Sequence, residues 1–492
     1  MKNEKSQILQ EQIERLAKLG ADYVDARIYQ FDSYETLRMF NGVLDESTAL
    51  LEPGLGVRVL YKGAWGFAAT SGKAEIEKCF DRALQNARAA SEIVGLPIEM
   101  PKEDACSHTY KSPVERKYSD VSFSDKVAFM SDIDEKLKAS HVKQRMMQLI
   151  FQEMNIYFLN SEGKETSRNL FNVFGKMGIF GIDSDGGSHR RTADLYSNGY
   201  GTRGYEMLAN PELFANHAER IKKELSETLV APKLEYGKRS LIMLPGQGFL
   251  QVHETIGHPL ELDRILGYEL SFAGGSFVKL DSFGKLRYGS DKLSVSAGCA
   301  YPNSPGTTGC DDEGTEQRTY LLIDKGILVN ALSSRSSVCE ANRKAGRTIF
   351  DASGASARST SFYRPPIDRM TNVNVLPGND GTLADIIANT ENGIILDTPL
   401  SWSIGSNREH FHFGCEYGQI VKDGKITGTV KNTSYQGHTL DFYNSLSAVG
   451  NESTLELRQV ENCGKGEPNQ VLELGHGIPV MKFENVITGE RK

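Results

Sequence analysis

Nowhere in the 492 residues does an apolar run approach the roughly 18 to 20 residues needed to span a bilayer. The opening segment, MKNEKSQILQEQIERLAKLG, scatters charge among its apolar residues and has no h-region of a signal peptide, so it reads as an amphipathic helix. Basic runs and stripes are missing and the net charge is −8, which argues against a nucleic-acid-binding surface. The seven cysteines are odd in number and dispersed, without a C-x-x-C pair. That usage fits reduced thiols in a cytoplasmic protein better than a disulfide framework. The acidic run GCDDEGT, with Asp311, Asp312 and Glu313, lacks the alternating ligand spacing of a calcium loop.

What is there is the composition of a soluble globular protein, 39% hydrophobic and 24% charged. The length exceeds one ordinary core, and two or three domains are expected. Residues 1–230 mix helices and strands. Ile8, Leu9, Ile13, Leu16 and Leu19 recur at helical spacing over residues 3–19, closed by Gly20. Strand-like DYVDARIYQF, YETLRMFNG and GVRVLYKGAWGFAAT precede a second helix, KAEIEKCFDRALQNARAASEIV. Residues 97–122, with three prolines, form a linker or crossing segment and a possible sub-boundary. A similar order then recurs: a helix capped at Ser122 or Ser124, strands over QRMMQLIFQEMNIYFLNSEG, ETSRNLFNVFGKMGIFGID and TADLYSNGYGTRGYEML, then a long helix at 210–229. This N-terminal α/β region therefore reads as two copies of one αβ unit. From residue 231 to 492 short strands broken by Gly, Asp and Asn dominate, predicting a β-rich antiparallel, barrel-like domain with few helices and an α+β class overall.

One helical stretch interrupts that half, beginning near Gln247 and carrying HETIGHPLELDR. In the zinc-protease motif H-E-x-x-H the histidines sit four apart on one helix face, with the glutamate as general base. Here His253 and His258 are five apart, about 140° on a regular helix instead of about 40°. Gly257 tolerates unusual backbone angles, and Pro259 lacks an N–H and disfavours the α conformation at His258. A π-type bulge between Thr255 and His258 would return both imidazoles to one side. A third donor must come from elsewhere. The candidates are Cys463 in ENCGKGEPNQ, a Gly-rich loop; His410 and His412, sharing one strand face in EHFHFG; Glu261; and Asp263. The competing reading leaves the histidines in polar contacts and Glu254 as a solvated acid.

The segments GFLQVHETIGHPLELDRILGYELSFAGGSF, GTEQRTYLLIDKGILVNAL, RPPIDRMTNVNVLPGN, DGKITGTVKN and ENCGKG, in that order, resemble the TldD/PmbA family, specifically its TldD-type members. The resemblance is strong from about residue 239 to 486 and weaker before it. It implies a metallopeptidase with one zinc per chain: His253, His258 and Cys463 as ligands, and Glu254 as the base. It further implies peptide or unfolded-protein substrates and a dimer, either of two copies or with a metal-free PmbA/TldE-like chain. Unfolded substrate would be selected by pairing an extended peptide with a strand edge. HFHFG does not match the family pattern at both histidines. Glu261 and Asp263 are expected either to orient the histidines or to form a solvated helix face. Arg369 and Asn372 in DRMTN either bind peptide backbone or stabilise a turn. The alternative function is a non-catalytic peptide-binding or regulatory protein of the PmbA type, reminiscent of a gyrase modulator. Such a protein has no chemical need for His253, Glu254, His258 and Cys463 together.

Overall fold

The computed structural model describes residues 4–71, 75–195, 203–208 and 210–490. The N-terminal part runs α1 (Glu4–Lys18), β1 (Tyr23–Phe40), β2 (Val43–Leu51), β3 (Gly54–Tyr61), β4 (Ala64–Thr70), α2 (Ile76–Ser91), β5 (Ser107–Lys111), α3 (Phe123–Lys136), β6 (Gln144–Asn160), β7 (Glu165–Ile182), β8 (Ser188–Asp194) and α4 (Pro211–Val230). The two strands expected over DYVDARIYQF and YETLRMFNG are one 18-residue strand, β1. The crossing segment 97–122 contributes β5, parallel to β7. Of the strand expected over TADLYSNGYGTRGYEML, only Thr192 to Asp194 lie in β8, and Tyr205–Leu208 form a single 3-10 turn. Residues 196–202 of that stretch, and the starts of the first two expected helices (residue 3 and residues 73–74), lie outside the described residues.

These strands make one eight-stranded sheet with β1 and β6 antiparallel at its centre. Period-two alternation decides which side meets what. On β6, Met147, Leu149, Phe151 and Leu159 pack under the four helices, while Met154 and Ile156 face the other way and meet Phe362 of the C-terminal part. β1 keeps this arrangement through a register irregularity between Tyr29 and Phe31, so Val24 and Ala26 but also Leu37 and Met39 reach the helix side. Each half of the N-terminal part supplies two helices to one face of this shared sheet; β1–β4 come from the first half, β6–β8 from the second, and β5 from the crossing segment between them.

The C-terminal part runs β9 (Gly237–Met243), α5 (Pro245–Val252), α6 (Leu262–Leu266), β10 (Val295–Gly298), β11 (Tyr320–Asp324), β12 (Ile327–Leu328), α7 (Arg335–Ala345), β13 (Ala357–Arg358), β14 (Ile367–Asp368), β15 (Asn372–Val375), α8 (Leu383–Ala388), β16 (Asn392–Ile404), β17 (His410–Lys422), β18 (Lys425–Val430), β19 (Thr433–His438), α9 (Thr439–Asn444), β20 (Leu446–Val449), β21 (Glu456–Lys465), β22 (Gln470–Ile478) and β23 (Met481–Thr488). β9, β23, β19, β17 and β16 close a five-stranded barrel, because β16 pairs with both β9 and β17. A second sheet has the order β12-β11-β10-β15-β22-β21. α5 packs between barrel strand β16 and the β21–β22 hairpin of that sheet. The fold is α+β. Helix α7, which the β-rich reading left out, is capped by Ser334 at its start and by left-handed Gly346 at its end.

The contact between the two parts is buried and charged. Asp312 faces Arg27 and Arg168 of the N-terminal sheet, and Glu313 lies 3.1 Å from Arg58. The acidic run of GCDDEGT is therefore a joint. No helix among the described residues is long and apolar enough to cross a membrane. All seven cysteines are unpaired.

Candidate metal centre

The helix carrying the motif is α-helical from Pro245 to Val252 and widens into a π turn over His253–Gly257. The His258 N–H reaches back five residues to the His253 carbonyl. Pro259 has no N–H with which to bond the Thr255 carbonyl four residues earlier, and the Tyr288 hydroxyl donates to that oxygen instead. The expected bulge is present, but two of its expected causes differ. Gly257 has ordinary helical angles (φ −57°, ψ −67°), and it is glycine for space: a Cβ there would lie 2.1 Å from the Met370 sulfur. His258 is likewise helical (φ −60°, ψ −44°) despite the following proline, because Pro259 occupies the first turn of a new 3-10 segment, His258–Leu260.

The π turn sets the two imidazoles edge to face, ring centres 4.8 Å apart. Cys463 meets them from β21; it lies in a strand, not the loop its glycines implied. The donor atoms of His253, His258 and Cys463 all fall within 4.8 Å of one another, and all three residues are buried. Cys463 Sγ stands 3.6 Å from His258 Nε2. That separation is about the edge of a tetrahedron with Zn–S near 2.3 Å and Zn–N near 2.0–2.1 Å.

The outer nitrogen of each ring is committed. His258 Nδ1 lies 3.0 Å from Glu261 Oε2 and so carries its proton there, leaving Nε2 as a donor pair facing Cys463. His253 Nδ1 lies 3.0 Å from Nε2 of His476, a β22 residue the motif reading missed. His476 Nδ1–H donates to the Val373 carbonyl at 2.7 Å, so its Nε2 can only accept and His253 must donate. Burial, reinforced by His253, pushes the His476 pKa down to about 3, keeping the ring neutral in this role. The sequence signal lay in its neighbours. Gly475 and Gly477 flank it, and a Cβ on either would collide with Ser304 or Tyr301.

Around this core the charges are arranged in layers. Burial alone would raise the Cys463 thiol, but His253, His258 and Arg369 pull it well below its ordinary range, as a ligand thiolate requires. Burial likewise opposes the His258 cation, yet Cys463 and Glu261 raise its pKa. Glu261 is held ionised against its burial by Lys465, His258 and Arg264. Asp263 sits one step further out, 2.6 Å from Lys465, whose Nζ is 3.5 Å from Glu261. Of the two acids expected to orient the histidines or lie solvated, Glu261 touches a histidine, whereas Asp263 is linked to one only through Lys465 and then Glu261. Arg369 donates to the Cys463 carbonyl, and Asn372 ties Ser304, Gly306 and Gly475 together, so both brace backbone.

Glu254 is 8% exposed and so is not a solvated surface acid. Burial would raise its pKa, but His258, His253 and Arg408 lower it. Arg408, at the turn between β16 and β17, pairs through Nη1 with Glu254 Oε2 and was not foreseen. The other two donors considered, His410 and His412, stand on exposed positions of β17. His410 packs against His438 of β19, ring centres 4.2 Å apart, and neither joins the buried cluster.

Comparison with known proteins places this arrangement. The family profile described as the PmbA/TldA metallopeptidase C-terminal domain matches residues 239–489, and that for domain 1 matches residues 24–87. A metalloprotease of Methanocaldococcus jannaschii is 26% identical over 477 residues, 96% of each chain. A zinc metalloprotease TldD homolog of Saccharolobus solfataricus is 24% identical over 486 residues, 97% of this chain and 98% of its own. Two solved structures share the fold. A Thermotoga maritima protein described as a DNA gyrase modulator superposes with a TM-score of 0.77 at 17% identity, over 98% of this chain and 100% of its own. TldE of Thermococcus kodakarensis gives 0.69 at 14%, with the same coverage. With the profile match spanning just over half of its length, the chain belongs to the TldD/PmbA family of metallopeptidases.

Proposed function

We propose that this chain is a zinc-dependent peptidase acting on unfolded or extended peptides. His253, His258 and Cys463 would hold one zinc per chain, and Glu254 would be the general base. The observation that carries the reading is the donor set itself. Two imidazoles and a cysteine sulfur converge on one buried point, each imidazole fixed by a hydrogen bond at its outer nitrogen. A non-catalytic binder would gain nothing from such a set. Residues 231–492 would be the peptidase domain and residues 1–230 its scaffold. The working assembly would be a dimer, of two copies or with a TldE-like chain, since one fold neighbour is a TldE.

Zinc, when bound, supplies acidified water and a polarised carbonyl. The chain's own part is the proton. Glu254 would take it at Oε1, the oxygen Arg408 leaves free, and return it to the leaving amine nitrogen. With the metal bound, His253 and His258 would each donate a proton outward, to His476 and Glu261, and offer an unprotonated inner nitrogen.

The test is elemental analysis of the protein purified without added metal, alongside hydrolysis of an unfolded protein such as casein. Wild type and E254Q should both hold about one zinc per chain, and E254Q should lose on the order of 10³-fold in kcat. Zinc near zero in the wild type, or E254Q cutting at the wild-type rate, would reject the reading.

A further inference from the structure

Arg408 is the donor that the base does not explain. It sits at the tip joining β16 to β17, in the left-handed conformation (φ 67°) that an arginine adopts only at a cost. The tip is not a loose loop. The Thr439 hydroxyl donates to the Arg408 carbonyl at 2.7 Å, Arg408 N–H to Gly405 O at 2.8 Å, and Phe277 N–H to Asn407 O at 2.9 Å. Gly274 presses so close that a Cβ there would lie 2.0 Å from the Ser406 carbonyl. Four surrounding contacts therefore hold an unfavourable backbone, and the result is a guanidinium delivered onto Glu254.

A guanidinium carries five N–H donors in a rigid fork and stays charged at every working pH. Glu254 engages one of them through Nη1. The Nε–H is buried and has no hydrogen-bond partner. Among the described residues no other cation comes within ion-pair distance of Glu254; the nearby Arg264 is committed to Glu261 and Glu269. A carbonyl attacked by water held at Glu254 must lie beside that carboxylate, and the guanidinium paired with the carboxylate is that of Arg408.

We infer that Arg408 is a second catalytic residue, which binds the oxygen of the scissile carbonyl as it becomes an oxyanion. This inference rests on the peptidase reading above. As the water oxygen bonds to the carbonyl carbon, the C=O π pair moves to the carbonyl oxygen, where Arg408 donates hydrogen bonds. The water's proton goes to Glu254. When the oxygen pair returns, the C–N bond breaks and the amine nitrogen leaves with that proton. No electron or co-reactant is left over. Donors already fixed toward the site of developing charge need no reorganisation during the reaction, which is where such groups contribute most.

The experiment compares wild type, R408A and R408K for zinc content, kcat, KM and binding of a phosphinic peptide, whose tetrahedral centre mimics the oxyanion. Affinity for the uncleaved peptide is measured separately in E254Q and E254Q/R408A. The expected result for R408A is one zinc per chain, kcat lower by about 10²- to 10³-fold, and KM within about threefold. Phosphinic-peptide affinity should fall in parallel while uncleaved-peptide affinity holds. R408K should recover part of the loss. R408A cutting within threefold of wild type, or both affinities falling equally, would overturn the oxyanion role while leaving the peptidase reading intact. A wild type that holds no zinc and cuts nothing would overturn both.

Discussion

The residue whose importance the motif did not announce is His476. Its neutral ring accepts the His253 Nδ1 proton and thereby selects the tautomer that presents Nε2 inward. H476F puts a larger apolar ring in its place, removing both the acceptor that faces His253 and the donor to the Val373 carbonyl. Zinc affinity, read by competition with a chromogenic chelator, should weaken about 10- to 100-fold, and Tm should fall as well, because a buried carbonyl left without its donor costs about 1–3 kcal/mol. A second residue-scale consequence concerns Asp368, which burial and neighbouring Asp263 push up to about 7. In the unfolded chain it would titrate near 3.9. The folded state thus binds the extra proton between about pH 4 and 7, so this group's contribution to stability is full below about pH 4 and is lost as pH rises to 7. D368N should therefore flatten the fall of Tm with pH across that window. An unchanged slope would show that Asp368 titrates normally.

At the scale of the element, the π turn is held by one packing constraint more than by backbone preference. Met370 occupies the space a Gly257 side chain would need, and the Met370 N–H also bonds Glu261 Oε1. G257A should cost about 1–3 kcal/mol through overpacking and lower zinc content. Adding M370A should restore the zinc, though not all the stability, because the shortened side chain leaves its own void. Failure of the double variant to regain zinc would mean that glycine's backbone freedom matters after all. The turn itself was legible in Gly257, Pro259 and the five-residue spacing. Met370, 113 residues away in sequence, was not, because nothing in a local pattern records which distant side chain fills a space.

Across the whole molecule, the two parts are joined by buried charge. Asp312 answers both Arg27 and Arg168 and accepts from the Ser359 N–H at 2.7 Å. Burial alone would raise its pKa; Arg168 and Arg27 outweigh that and bring it down to about 2. D312N would leave two buried guanidinium groups short of a counter-charge, at a cost on the order of 3–5 kcal/mol. Urea denaturation should show that loss. Limited proteolysis should then release the N-terminal sheet as a separable fragment; a single cooperative transition at the wild-type midpoint would show the joint to be dispensable.

By itself the sequence determined the local things. Helix and strand periodicities, the hairpin turns, the need for a distorted helix at residues 253–258 and the family follow from neighbours in the chain or from ordered segments. The third donor was narrowed by pattern to five residues, and only resemblance singled out Cys463. Tertiary structure decided the rest. It brought Cys463 and His476 across more than 200 residues of chain, sent His410 and His412 to the surface, and swung Arg408 from a barrel turn onto Glu254. Those outcomes depend on which faces pack together and which buried charges must be answered, and the balance is struck only once the chain has closed on itself.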